Sequence, residues 1–106
     1  MQQHLEEMLE EIKSGQAILL DVREIDEWEE GHLTTAKWVP LSTLRNYELP
    51  EGQEFDKSKK TYIHCRSGQR VQIAAPILEE IGFGDVIPLS EGFDELVDEG
   101  LDEVTS

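Results

Sequence analysis

Short apolar runs alternate with segments of helical periodicity along this 106-residue chain, and that alternation constrains its fold more than any other feature. The run at 17–22 is nearly continuous, as in a strand buried on both faces of a parallel sheet. Strands alternating with helices imply right-handed crossovers. The predicted fold class is α/β: a central parallel sheet of four or five strands with helices on both faces. The other expected strands are 36–39, 61–65 and 85–89; helices are expected around 5–13, 25–30, 41–45, 71–81 and 93–97.

The length and composition limit the number of domains and indicate the cellular compartment. A chain of 106 residues has room for one core, so we expect a single domain over 1–106. No apolar segment has the length of a membrane span. The N-terminus lacks the basic and apolar stretches of a secretory signal, and a single cysteine forms no internal disulfide. These features predict a cytoplasmic protein with no membrane partner.

The charge of the chain is strongly acidic and unevenly distributed. Nine basic residues stand against 24 acidic ones, for a net charge of −15, and every Lys and Arg precedes Val71. Such a surface repels nucleic acid, so we expect no nucleic-acid partner. The acidic bias fits a solvated surface better than a specific basic partner.

The only cysteine, Cys65, stands where an apolar run meets the loop Cys65-Arg66-Ser67-Gly68-Gln69-Arg70, which passes into a helical pattern. A loop between a strand and a helix directs backbone N–H groups and the positive end of the helix dipole at its first residue. Positive surroundings favour the thiolate form of a cysteine over the thiol. The loop therefore indicates an activated nucleophile in an anion cradle. The alternative is a buried cysteine that serves as a small apolar side chain, which the neighbouring arginines disfavour.

A second polar position lies at the same predicted sheet edge. Asp21 ends the first strand as Cys65 ends the third, and ligands of open parallel sheets bind beyond the carboxyl ends of the strands. We therefore expect Asp21 and Cys65 to lie near each other. Only three histidines accompany the single cysteine, none at ligand spacing, so neither a metal site nor a cofactor is expected.

Several short motifs stand in this order along the chain: Asp21-Val22-Arg23, Glu27-Trp28, Gly31-His32, Val39-Pro40, the Cys65–Arg70 loop and Gly82-Phe83. Together they resemble the rhodanese family of sulfurtransferases over about 17–96. The resemblance implies that a thiolate at Cys65 attacks the outer sulfur of a donor, carries it as a persulfide and passes it to a nucleophilic acceptor. It leaves the donor and acceptor open: a small anionic donor such as thiosulfate, cyanide or a thiol as acceptor, or a protein in either role.

The candidate site consists of the catalytic Cys65, the substrate-binding loop residues and two supporting residues. Arg66 is the candidate for capturing an anionic donor, and Gly68 lets the backbone curve. Arg70 either faces the substrate or pairs with an acid such as Asp21 and holds the loop; we favour the second role. The substrate-binding candidates are Arg66, Ser67, Gly68, Gln69 and Arg70, and the supporting ones are Asp21 and Arg23.

Two histidines are given structural roles. His32 is expected to be hydrogen bonded rather than a general base, and His64 to pack away from the thiol because adjacent strand residues point to opposite faces.

Three other functions are associated with a cysteine loop, and two of them stay open as alternatives. The first is a Cys-dependent phosphatase, whose loop has five residues between the cysteine and the arginine. Here only four residues separate Cys65 from Arg70. A regulatory rhodanese module without catalysis is the other alternative, although such modules commonly lack the cysteine. A thioredoxin-like reductase is excluded because no second cysteine exists to resolve an intermediate.

Overall fold

The computed structural model describes residues 1–105. Its centre is a parallel sheet of four strands in the order β3-β1-β4-β5. A two-stranded antiparallel sheet joins β2 to β6. The strands are β1 Ala17–Asp21, β2 His32–Leu33, β3 Ala36–Trp38, β4 Lys60–His64, β5 Val86–Pro88 and β6 Glu103–Val104.

Five helices accompany the strands: α1 Gln3–Lys13, α2 Ile25–Glu30, α3 Leu41–Leu44, α4 Arg70–Ile81 and α5 Phe93–Asp98. Each predicted helix is present, and each of the four predicted strands differs from the observed one by a residue at one or both ends. No helix among residues 1–105 is long and apolar enough to cross a bilayer.

The two faces of the sheet carry separate apolar cores. On one face Leu20 and Ile63 pack with α3 and α4. On the other face Leu19 and Tyr62 pack with α1 and α5. Neighbouring strand residues therefore serve opposite cores, which is the period of two of a β-strand. The predicted α/β class, with a parallel sheet and helices on both faces, is confirmed with four strands.

The pairing of β1 with β4 determines where the polar groups lie. Asp21 stands opposite His64 in the register, and the Val22 N–H donates to the His64 carbonyl at 3.1 Å. Both strands end here, so Asp21, Arg23 and the Cys65 loop emerge at one edge of the sheet. This is the convergence that the topology predicts.

Candidate active site

Cys65 begins the loop between β4 and α4, and its side chain is fully buried. The Gly68 N–H donates a hydrogen bond to its Sγ at 3.2 Å. Gly68 has φ +83°, a left-handed conformation that allows the loop to turn back over the sulfur. The loop therefore presents a backbone donor to the sulfur atom.

The outer side of the loop packs against the connection between β5 and α5. The Phe93 N–H donates to the Cys65 carbonyl at 2.9 Å. A Cβ on Gly68 would lie 2.8 Å from the Ser90 carbonyl oxygen, and one on Gly92 would lie 1.8 Å from the Arg66 carbonyl oxygen. Backbone therefore touches backbone on this side, and the two glycines are required for the contact.

Arg70, at the start of α4, is bound by Glu27 of α2. Its two terminal nitrogens donate to the two carboxylate oxygens of Glu27 at 2.6 and 2.8 Å. This carboxylate also accepts the Glu24 N–H at the start of α2. Arg70 thus pairs with an acid, as favoured from the sequence, but the acid is Glu27 and not Asp21, whose carboxylate binds Arg23. Glu27 raises the pKa of Arg70, and the Cys65 sulfur adds to this effect.

Arg23 and Asp21 form a buried pair beside the loop. The Nε and Nη2 atoms of Arg23 donate to the Asp21 carboxylate at 2.8–3.0 Å, and Nη2 also donates to the Gly31 carbonyl at 2.7 Å. The guanidinium lies over the Phe93 ring at 4.1 Å. The pair thereby links the end of β1 to Phe93, the first residue of α5, and the Phe93 N–H donates to the Cys65 carbonyl.

His64 lies on the opposite side of β4 from the thiol. Cys65 packs in the core with α4, whereas the His64 ring stacks on Phe93 at 6.3 Å between centroids. Its Nε2 is 3.6 Å from the Asp21 carboxylate, and neither ring nitrogen has a hydrogen-bond partner among residues 1–105. Burial lowers the pKa of His64, and the charge of Asp21 opposes part of that shift. The expectation that His64 packs away from the thiol is confirmed.

The His32 side chain also makes structural contacts. Its Nδ1–H donates to the Trp28 carbonyl at 2.9 Å, and the His32 and Trp28 rings stack at 3.6 Å.

The remaining loop residues face outward. Arg66, Ser67 and Gln69 are exposed, and no carboxylate among residues 1–105 pairs with Arg66. Arg66 is thus the free positive charge of the loop. No group of His, Cys, Asp and Glu in the described chain could hold a metal ion.

Sequence reasoning missed several contributors to this site. Glu27 belongs to the Glu27-Trp28 motif, but it is 43 residues from Arg70, and nothing in the sequence identifies it as the partner of Arg70. Gly92 and Phe93 follow β5, the last strand of the parallel sheet. Because the carboxyl ends of parallel strands lie at one edge, their proximity to the Cys65 loop could have been inferred. The close contact of Gly92 with the loop backbone could not have been inferred from the sequence.

We expect Glu27→Gln to destabilise the fold by about 2 kcal/mol near neutral pH, since it leaves a half-buried guanidinium without its carboxylate. Arg70 holds the pKa of Glu27 at about 2, below its ordinary 4.5. A carboxyl group whose pKa is lower in the folded state than in the unfolded state stabilises the fold at a pH above its unfolded-state pKa. This stabilisation is lost as the pH falls through the folded-state pKa. The stability gap between parent and variant should therefore close between about pH 4.5 and 2.

Urea denaturation at several pH values measures this gap. Glu80→Gln, an exposed substitution on α4, is the matched control and should show no gap at any pH. A gap for Glu27→Gln that is constant from pH 7 to 3 would show that the carboxylate charge does not hold Arg70.

Comparisons with known proteins show the family and the fold of this chain. The family model described as Rhodanese-like domain matches residues 4–99. The chain is 33% identical over 91 residues to thiosulfate sulfurtransferase GlpE of Coxiella burnetii, covering 86% of this chain and 80% of that protein. It is 32% identical over 89 residues to YrkF of Bacillus subtilis, covering 83% of this chain and 46% of the relative, so it spans about half of that protein.

A solved structure shares the fold. The human single-domain sulfurtransferase TSTD1 superimposes with a TM-score of 0.76 at 21% identity, covering 90% of this chain and 93% of that one. The family match extends over most of the chain and includes the loop from Cys65 to Arg70. This chain therefore belongs to the rhodanese-like domain family.

Proposed function

We propose that this protein is a sulfurtransferase in which Cys65 carries sulfur as a persulfide between a small anionic donor, such as thiosulfate, and a nucleophilic acceptor, either cyanide or a thiol. The observation that carries the proposal is the buried Cys65 sulfur, which accepts the Gly68 N–H at 3.2 Å in a loop that also bears Arg66. A single domain over 1–106 suffices for this chemistry.

The first half-reaction moves one sulfur atom onto the protein. The Cys65 thiolate attacks the outer sulfur of thiosulfate, a new S–S bond forms, and sulfite leaves with the electron pair of the broken S–S bond. The product is a Cys65 persulfide whose outer sulfur carries negative charge. Backbone N–H groups of Ser67, Gly68 and Gln69 are the proposed donors to that sulfur.

The second half-reaction restores the thiolate. Cyanide or a thiolate attacks the outer persulfide sulfur, that sulfur leaves as thiocyanate or as the acceptor's persulfide, and the electron pair of the S–S bond returns to Cys65. The two half-reactions together consume no oxidant and no reductant. In the first half-reaction the reacting form of Cys65 is the thiolate rather than the thiol.

The surrounding residues receive distinct roles in this proposal. Arg66 captures the donor anion, because it is exposed and unpaired beside the thiol. Arg70 holds the loop through Glu27, while Asp21 and Arg23 support its base through Phe93. The full burial of Cys65 favours donors with a slim reactive end over bulky ones.

The contacts of Arg70 weigh against a phosphatase. Phosphoryl transfer needs an arginine that is free to bind the equatorial oxygens, yet both terminal nitrogens of Arg70 donate to Glu27. A steady-state comparison tests the proposal: thiosulfate and cyanide should yield thiocyanate, whereas an aryl phosphate should release no phosphate. Phosphate release without thiocyanate formation would refute it.

Arg66→Ala should raise the KM for thiosulfate about fivefold and leave the melting temperature unchanged, since the side chain is exposed and bonded to no other described group. The measurement is initial rate against thiosulfate concentration at low and high salt, because screening should narrow the difference. A fall in melting temperature with an unchanged KM would make Arg66 a structural residue instead.

A further inference from the structure

His64 is a buried ionisable side chain that the proposed chemistry does not use. Its ring is fully buried, and neither ring nitrogen has a hydrogen-bond partner among residues 1–105. Buried polar groups in proteins are nearly always hydrogen bonded, so an unpaired imidazole requires an explanation. Its Nε2 lies 3.6 Å from the Asp21 carboxylate, just beyond hydrogen-bond reach. A small movement would therefore give His64 a charged partner.

His64 belongs to a closed set of four side chains, Asp21, Arg23, His64 and Phe93, which we call the His64 cluster. The Nε and Nη2 atoms of Arg23 donate to the Asp21 carboxylate at 2.8–3.0 Å. The Arg23 guanidinium lies 4.1 Å from the centre of the Phe93 ring. The His64 ring stacks on Phe93 and faces Asp21, which closes the set. Each member contacts two others, and a shift of one is passed to its neighbours in a close-packed interior.

The His64 cluster holds the backbone on both sides of Cys65. The carbonyl of His64, which precedes Cys65, accepts the Val22 N–H at 3.1 Å. The carbonyl of Cys65 accepts the Phe93 N–H at 2.9 Å. Because the His64 and Phe93 rings stack on each other, the orientation of the Cys65 backbone depends on the side chains of the cluster.

The charges of the cluster balance only while His64 is neutral. Asp21 contributes one negative charge and Arg23 one positive charge, and both side chains are 5% exposed or less. A proton on His64 would place two cations beside one buried carboxylate, and an uncompensated buried charge is costly. The buried acid of the β5–α5 connection, Glu91, is already bound to His4 of α1 at 2.8 Å. Protonation of His64 therefore favours the departure of one cation.

Arg23 is the cation that can leave. It lines an open cavity of about 200 Å³, whereas the Asp21 and His64 side chains are fully buried. The exposed acids Glu30 and Asp94 line the same cavity. A guanidinium that turned outward would meet water and these carboxylates, and a protonated His64 would remain paired with Asp21.

We propose that His64 is a positioning residue for Cys65 that acts only in its neutral form, and that a proton on its ring replaces Arg23 at Asp21 and slows sulfur uptake by Cys65. The inference rests on the proposed function. Burial lowers the pKa of His64 below its ordinary 6.5; Asp21 opposes this shift and Arg23 adds to it. His64 is therefore neutral near pH 7, and the loss of sulfur uptake falls on the acid side of pH 6.5.

The first test compares the parent with His64→Phe between about pH 8 and 5. Full-length protein is mixed with excess thiosulfate, and the gain of one sulfur atom in the first turnover is followed by intact mass. Phenylalanine keeps an aromatic ring against Phe93 and takes up no proton. Protonation of the Cys65 thiol slows both proteins alike, so it cancels in the ratio of their rates.

The ratio of the variant rate to the parent rate should rise about fivefold or more from pH 8 to 5, because only the parent loses the contact between Arg23 and Asp21. His4→Gln removes an exposed histidine outside the cluster and is the matched control, with a ratio that stays constant over this range. Thermal unfolding at each pH establishes that the rates belong to folded protein. A ratio for His64→Phe that is constant from pH 8 to 5 overturns the proposal.

The second test needs no change at position 64. NMR of the labelled parent follows the protonation of the His64 ring and the exchange of the Arg23 Nε–H with water, relative to free arginine at the same pH. The bond to Asp21 protects this N–H at neutral pH. Its protection should fall about tenfold over the pH interval in which His64 takes up a proton. An Nε–H that stays protected beside a protonated His64 would show that Arg23 is not replaced.

The outcomes separate this inference from the proposed function. Sulfur uptake with a constant ratio and a protected Arg23 Nε–H overturns the role of His64 and leaves the sulfurtransferase proposal standing. Failure of the protein to take up sulfur from any donor at any pH overturns the proposed function, and the NMR measurement still reports whether the cluster responds to a proton.

Discussion

Cys65→Ser is expected to lower sulfur transfer by about a thousandfold or more, because the covalent carrier is lost and a serine hydroxyl is not ionised near neutral pH. The fold should survive. The residue is fully buried, yet a hydroxyl at the same position can accept the Gly68 N–H that now binds the sulfur. The free energy of unfolding should therefore change by only about 1 kcal/mol.

Two measurements accompany this prediction. Thiocyanate formation from thiosulfate and cyanide reports the activity, and thermal unfolding reports the fold. Cys65→Ala serves as the matched variant, since it removes the sulfur without adding a hydroxyl. Persistence of turnover in either variant at more than a few per cent of the parent would show that Cys65 does not carry the sulfur.

Gly92→Ala is expected to be the most damaging substitution outside the cysteine. Its Cβ would lie 1.8 Å from the Arg66 carbonyl oxygen and 2.7 Å from the Arg66 carbonyl carbon, so backbone must move. The cost should be about 3 kcal/mol, which lowers the melting temperature by about 10 °C or more. Displacement of the loop should also reduce sulfur transfer about a hundredfold, since the reacting groups lose their alignment.

Gly84→Ala provides the control, because a Cβ at Gly84 meets nothing within 4 Å. It should keep the melting temperature and the activity of the parent. Both variants are compared by thermal unfolding and by activity at a temperature where each is folded. If Gly92→Ala keeps full activity and stability, the packing of the β5–α5 connection does not shape the loop.

The parallel sheet was predictable because each of its strands is an apolar run flanked by helical periodicity. The run at 17–22 serves both cores at once, and such a pattern fits little other than a central strand. The antiparallel pair of β2 and β6 was missed. Each of these strands has two residues, too few for any periodicity, and the pair forms only because the chain end returns to α2 and β2.

The candidate site divides in the same way. Cys65 and its loop could be found from local sequence, because the strand, the glycine and the helix are contiguous. The partner of Arg70 could not be identified, although Glu27 stands in one of the motifs, because a guanidinium can donate to any carboxylate that the fold brings within reach and the chain offers 24 acids.

The most direct test of the account is the mass of the protein after incubation with thiosulfate and removal of excess donor. The account predicts that the intact protein gains one sulfur atom, that peptide mapping places it on Cys65, and that cyanide removes it with release of an equal amount of thiocyanate. A protein whose mass stays unchanged with thiosulfate and with small persulfides, or whose added sulfur lies elsewhere than Cys65, would contradict it.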